Sequence, residues 1–139
     1  FSQLFGGGTA QIVLTDPDNI LTGGIDFYIQ PPGKKRQQLT LLSGGERALT
    51  VIALLFSFLD YRPAPFCVLD EVDAALDEAN VERFSSYLNR VNKETQFIVV
   101  SHRKKTMEAA EVLQGVTMVE RGVSRLLTVA FEDVKEDLA

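Results

Sequence analysis

Residues 65–77 read PFCVLDEVDAALD, an apolar run that ends in Asp70 and Glu71 and continues at once to Asp73 and Asp77. An apolar strand that stops abruptly at Asp-Glu sets two carboxylates at the edge of a site, where a hydrated metal ion can sit. In phosphoryl-transfer enzymes an Asp so placed helps hold Mg²⁺, often through a water, while an adjacent carboxylate orients or deprotonates the attacking water. Taken alone, such a run is common in proteins. Asp77 has a plainer reading as the N-cap of a helix beginning at Glu78, and Asp73 is expected to be solvated.

A second candidate lies upstream, in LLSGGERALT at 41–50. Ser43 and Glu46 have the spacing of a capping box. A cap needs only those two residues, whereas Gly44 and Gly45 cost the first turn about 1 kcal/mol each relative to Ala. Without side chains there, the backbone N–H groups at the positive end of the helix are open to an anion, phosphate being the usual one. Ser43 could donate its hydroxyl to the same phosphate. The third candidate, His102, is the only histidine and follows the apolar run 97–100 with Ser101 between. A lone histidine is more often structural, but the C-terminal end of a strand is where α/β sheets place ligands. With no second His and no Cys pair beside it, a metal role is not expected.

These residues need a sheet and helices to position them. Residues 66–69 and 97–100 are continuous apolar runs of strand length, without the polar alternation of a strand that has a wet face, which is the pattern of buried parallel strands. Between them Val81, Phe84, Leu88 and Val91 recur at intervals of three and four. That predicts an amphipathic crossover helix over 78–92 and hence a strand-helix-strand unit. Residues 44–59 are apolar on nearly every face, predicting a helix packed on several sides. Residues 11–14 and 24–30 predict a first hairpin around the turn Asp16-Pro17-Asp18-Asn19. Residues 104–111 predict a basic helix, and 116–120 with 123–129 a final hairpin about Arg121-Gly122. The acidic tail, 131–139, is expected to fray. The spacing leaves room for one helix between Ser43 and Asp70, then one crossover before His102, so all three motifs reach one edge of a sheet.

With 139 residues, 45% apolar and 24% charged, the chain has the composition of one globular domain. Cys67, the single cysteine, excludes a disulfide framework and is expected to pack in a reducing, cytoplasmic setting. The longest apolar stretch, 51–59, is too short to cross a bilayer, and no signal peptide is legible, so no membrane is expected as a partner. A net charge of −5 argues against nucleic-acid binding by this chain alone, because such affinity rests largely on Lys and Arg. The clusters Lys34-Lys35-Arg36 and Arg103-Lys104-Lys105 are read as solvated first and as phosphate contacts second.

Together the motifs are far more specific than any one of them. The sequence resembles the ABC-type ATPases: LSGGE at 42–46 is similar to their signature motif, FCVLDE at 66–71 to their Walker B strand, ALD at 75–77 to their D-loop and VVSH at 99–102 to their switch histidine. No G-x-x-x-x-G-K-[ST] phosphate loop occurs, and Gly6-Gly7-Gly8, which has no lysine after it, is read as a turn. A signature and a Walker B without a Walker A make half a nucleotide site. That gap narrows the resemblance. LFGGGTAQIVL (4–14), GIDFYIQPPGKK (24–35), PAPFCVLDEVDAALDEANVERF (63–84), TQFIVVSHRKKTMEAAEVLQGVTM (95–118) and GVSRLLTV (122–129) look like the C-terminal head lobe of prokaryotic SMC (structural maintenance of chromosomes) proteins.

The resemblance implies an α/β fold over 1–130: the C-terminal lobe of an ABC-type P-loop ATPase head, a largely parallel sheet with flanking helices and terminal hairpins. Such a lobe is incomplete without the N-terminal Walker A lobe, which in the family lies at the other end of the same polypeptide beyond a long coiled coil and a hinge. The absence of a heptad run before the lobe leads us to expect an excised or engineered piece. By resemblance Asp70 serves Mg²⁺ through water, Glu71 polarises the attacking water and His102 contacts the γ-phosphate of the head's own ATP. Ser43, Gly44 and Gly45, with Glu46 of the same motif, reach the γ-phosphate of ATP on a second head, and Asp77 lies across that junction. Implied partners are the Walker A lobe, a second SMC head as homodimer, a kleisin subunit (ScpA) docked around 116–129, and DNA through the assembled complex, in a cytoplasmic, nucleoid-associated setting.

Three other readings compete: a coiled-coil ABC ATPase of DNA repair, a transporter's ATPase domain, and a non-catalytic module that only docks a kleisin. PPGKK and LDEVDAALDEAN favour SMC, a transporter domain would carry its own phosphate loop, and Glu71 beside Asp70 favours an enzyme. The chain alone is expected to be inactive and to expose an apolar sheet edge.

Overall fold

The computed structural model describes residues 1–91 and 95–130; the expected acidic tail lies outside them. A short helix α1 (Ser2–Phe5) leads into β1 (Thr9–Leu14) and β2 (Ile25–Gln30), then a two-residue β3 (Gln37–Gln38) and a single 3-10 turn. Helix α2 (Gly44–Tyr61), strand β4 (Phe66–Asp70), helix α3 (Glu78–Val91), strand β5 (Gln96–Val100), helix α4 (Lys104–Glu108), and strands β6 (Val112–Glu120) and β7 (Val123–Ala130) follow.

The expected first hairpin forms, with Thr9 opposite Gln30 and Leu14 opposite Ile25. Gly6-Gly7-Gly8 is the turn that enters it. A Cβ on Gly8 would stand 2.3 Å from the Gln30 carbonyl oxygen and the residue has φ +77, so this glycine is needed for a close backbone approach. The parallel component is the β4–β5 pair, in register Phe66 to Gln96 through Asp70 to Val100. Instead of the largely parallel sheet expected, the described residues give this one parallel pair between two antiparallel sheets.

Two boundaries differ from the sequence expectation. Strand β6 begins at Val112, because its ladder with β7 continues through Gly115–Leu127 to Val112–Ala130; helix α4 accordingly stops at Glu108 rather than 111. Helix α2 buries a single stripe, Leu49, Ile52, Ala53 and Phe56, and leaves Val51 and Phe58 exposed, so it is not packed on several sides here.

That stripe and the matching face of α3 (Val81, Phe84, Tyr87, Leu88) close on one face of the β4–β5 pair. Phe56 is the centre: its ring stacks on Phe84 at 6.2 Å, meets Phe97 edge-on at 5.8 Å and lies 4.8 Å from Tyr87. Because strand side chains alternate, Cys67, Leu69, Phe97 and Val99 face this core. Burial raises the Cys67 thiol above its ordinary value, as fits a packing role. The opposite face carries Phe66, Val68, Ile98 and Val100, each about half exposed. The missing polar alternation thus marks strands built for burial on both faces, one of which is bare in this chain.

Candidate functional site

The start of α2 is a complete capping box. The Ser43 Oγ accepts from the Glu46 backbone N–H at 3.4 Å, and the Glu46 carboxylate accepts from the Ser43 N–H at 3.3 Å and from its hydroxyl at 2.9 Å. Lys34, exposed on the turn after β2, places Nζ 2.9 Å from Glu46 Oε1. This ammonium is the main reason the Glu46 carboxyl lies below its ordinary range; the Ser43 bonds add to it and partial burial opposes it. A Cβ on Gly44 would meet nothing within 4 Å, and one on Gly45 would meet Asn80 Nδ2, Ala75 O and Asp77 Oδ2 at 3.5 to 3.7 Å, ordinary contact distances. Packing within this chain therefore requires neither glycine. Their N–H groups have no acceptor within the helix, since the first turn of any α-helix has none to offer, and they lie at its positive end.

The second group of residues leaves the C-terminal ends of the parallel strands. Asp70 shares the bare face with Phe66 and Val68 and stands opposite Val100. Glu71 follows with φ +48, the one positive φ among the described residues other than glycine, while its N–H extends the ladder to the Val100 carbonyl at 2.9 Å. A left-handed conformation costs a residue with a Cβ roughly 1–2 kcal/mol; such strain concentrates at functional positions. His102 lies two residues past β5 and is exposed. Asp70, Glu71 and His102 thus share the sheet end where α/β folds bind ligands.

Among the described residues no three His, Cys, Asp or Glu gather as metal ligands. That excludes a cage made by this part of the chain, but it fits Mg²⁺, which is typically held by one or two carboxylates with waters and substrate phosphates. Asp70 is exposed at the strand end, where a carboxylate is open to such an ion.

The loop between β4 and α3 corrects one expectation. Asp73 is not solvated; it is fully buried. Its Oδ2 accepts from the Ser101 hydroxyl at 2.6 Å and from the Thr106 hydroxyl. Asp77 is the N-cap of α3: Oδ1 accepts from the Asn80 N–H at 2.9 Å, and the Asp77 carbonyl receives the Val81 N–H at 2.9 Å. It also lies beside Gly45, so the start of α2 and the loop that leads into α3 adjoin. Sequence reasoning missed Asp73, Ser101, Arg103 and Lys34. No periodic signal marks them, although a loop this short that also buries Leu76 has little room to solvate all of its acids. Two clefts open beside Phe56 and Asp60, and none of Ser43, Asp70, Glu71 and His102 lines either one.

A family model, the RecF/RecN/SMC N terminal domain, matches residues 29–125. The chain belongs to this family. A chromosome partition protein Smc of Bacillus subtilis (strain 168) is 63% identical over 136 residues, which is 98% of this chain and 12% of that protein. The chain thus spans about an eighth of the length of the curated relatives it matches. Among solved structures, a chain from work on ATP-driven dimerization and DNA-stimulated activation of SMC ATPases superposes with a TM-score of 0.86 at 37% identity, over 99% of this chain and 83% of that one. An Smc head domain from Pyrococcus furiosus, bound to the C-terminal domain of ScpA, gives 0.84 at 37% identity, over 99% of this chain and 34% of that one. The fold is that of part of an SMC head. No helix among the described residues is long and apolar enough to cross a membrane.

Proposed function

We propose that this chain is the C-terminal lobe of the ATPase head of a chromosome-partitioning SMC protein, working in the cytoplasm at the nucleoid and completed by a Walker A lobe from the same protein. One observation carries this reading: Asp70 projects from the bare apolar face of β4–β5, in a chain without a phosphate loop. The face that needs covering is also the face that offers the metal-holding carboxylate, so a single partner lobe would both bury Phe66, Val68, Ile98 and Val100 and seat a triphosphate against Asp70 and Glu71.

Within the completed head, Asp70 would hold Mg²⁺ through water beside the phosphates, where the ion supplies charge neutralisation for phosphoryl transfer. Glu71, fixed by its backbone bond to Val100, orients the attacking water and accepts its proton. His102 contacts the γ-phosphate. Ser43, Gly44 and Gly45 present a hydroxyl and two free N–H groups to the γ-phosphate of ATP on a second head, and Asp77 approaches across the same junction. ATP between two heads satisfies donors from both, so it favours the engaged pair; hydrolysis removes the group that the second surface holds. The ScpA-bound head of Pyrococcus supports a kleisin partner here, docked on the β6–β7 hairpin, where Val116, Met118 and Leu126 are exposed. DNA is acted on by the assembled complex.

The test is Glu71→Gln in the full-length protein. Hydrolysis should fall by about 100-fold or more, while ATP is still bound and dimers accumulate on sizing columns. Undiminished phosphate release would remove Glu71 from its role.

A further inference from the structure

Asp73 is the one fully buried charged side chain among the described residues, and no role given above uses it. Its carboxyl ties the loop after β4 to the segment after β5: Ser101 donates to Oδ2 at 2.6 Å and Thr106 donates to the same oxygen. Ser101 Oγ in turn accepts the Arg103 N–H at 2.9 Å. The Arg103 guanidinium returns to the loop, donating to the Leu76 carbonyl at 2.9 Å and the Ala74 carbonyl at 3.4 Å. Two segments are therefore fastened from both sides. The first carries Glu71 at one end and Asp77 at the other, and the second carries His102.

A carboxylate is an expensive way to fill this space, since a buried charge costs far more than an apolar side chain of similar size would. Asp73 Oδ1 has no hydrogen-bond partner among the described residues. What the carboxyl supplies is direction: it fixes where the loop turns. The loop turns sharply here, because Glu71 sits in the left-handed region; its backbone is held by the Val100 carbonyl at 2.9 Å and by the Ala74 N–H at 3.0 Å, and the Asp73 bonds add side-chain ties between the same two segments.

We propose that Asp73 is a positioning residue of the nucleotide site: through Ser101 and Thr106 it locks the 71–77 loop to the 101–106 segment and so fixes Glu71 and His102 relative to each other. The proposal rests on the ATPase reading above for its consequence in turnover, and on the hydrogen bonds alone for its consequence in loop order.

Removing Asp73 outright endangers folding, so the test removes the donors, as Ser101→Ala with Thr106→Val in the full-length protein; Thr106→Ser, which keeps a hydroxyl, serves as the conservative control. Amide hydrogen exchange should accelerate by about tenfold or more in 71–77, with β4 and α3 still protected. In the same variant kcat should fall by about tenfold or more with KM for ATP unchanged within about twofold, and Thr106→Ser alone should retain wild-type turnover. Unchanged exchange in 71–77 would overturn the lock, and faster exchange with unchanged kcat would overturn its role in positioning Glu71. A wild-type protein that released no phosphate would instead contradict the ATPase reading, while the exchange data would still judge the lock.

Discussion

Ser43 cannot give its hydroxyl proton to two acceptors at once. Here it goes to Glu46, so in the proposed engaged pair a phosphate from another head would have to displace that bond, and Lys34, which holds the other Glu46 oxygen, would keep the carboxylate satisfied. Ser43→Ala should cost the helix about 1 kcal/mol through loss of the cap. Ser43→Arg should leave nucleotide bound to the assembled head but abolish ATP-dependent dimers; equal hydrolysis by Ser43→Arg and wild type would remove the cross-head role. The lowered Glu46 carboxyl sets a pH dependence with a definite sign. A depressed acid stabilises the fold fully above its ordinary value, 4.5 here, and loses that contribution as pH falls below it toward the folded value. The start of α2 should therefore loosen below about pH 4.5, and Lys34→Ala should move that loosening upward, as followed by amide exchange at 44–47. At this scale the capping box, the Asp77 cap and the Asp-Glu strand end were legible, because each is local in sequence. Asp73 was not, since its partners Ser101 and Thr106 lie across the crossover and nothing in the pattern of a short acidic loop says which carboxylate turns inward.

The β4–α3–β5 unit places its two faces under different demands. On the covered face Phe84 is fully buried against Phe56, and Phe84→Ala should destabilise the chain by about 3–5 kcal/mol in thermal or denaturant unfolding. On the other face Val68→Asp or Ile98→Asp changes an exposed side chain and should alter the stability of this chain by no more than roughly 0.5 kcal/mol. The same substitutions should prevent co-purification with the Walker A lobe. Should they unfold the chain as Phe84→Ala does, that face would belong to its own core. The strands' apolar runs correctly signalled burial on two sides; sequence alone does not divide that burial between this chain and another. Helix α2 reads the same way, with Val51 and Phe58 left outside its buried stripe. The start of β6 was misplaced because 112–115 pair with β7, a contact between segments that no local pattern in 112–115 announces.

Taken whole, the molecule carries Asp70 and Glu71, His102 and the Ser43 turn, yet neither cleft beside Phe56 and Asp60 touches them. Asp70 is open on the side where the sheet is bare, whereas Ser43 heads the helix that packs on the covered side. The candidate groups and the missing phosphate loop are legible in sequence, whereas the surface that would close a pocket is not, for a physical reason: chemical groups are specified locally, and a nucleotide pocket is made by surfaces meeting. The central claim is that those surfaces come from separate lobes. The most direct measurement is ATP binding by calorimetry, together with phosphate release, for this chain alone and for the same chain joined with the Walker A lobe. Negligible binding and no turnover alone, with both appearing once the lobe is added, is the predicted result; tight ATP binding or steady turnover by residues 1–139 alone would contradict it.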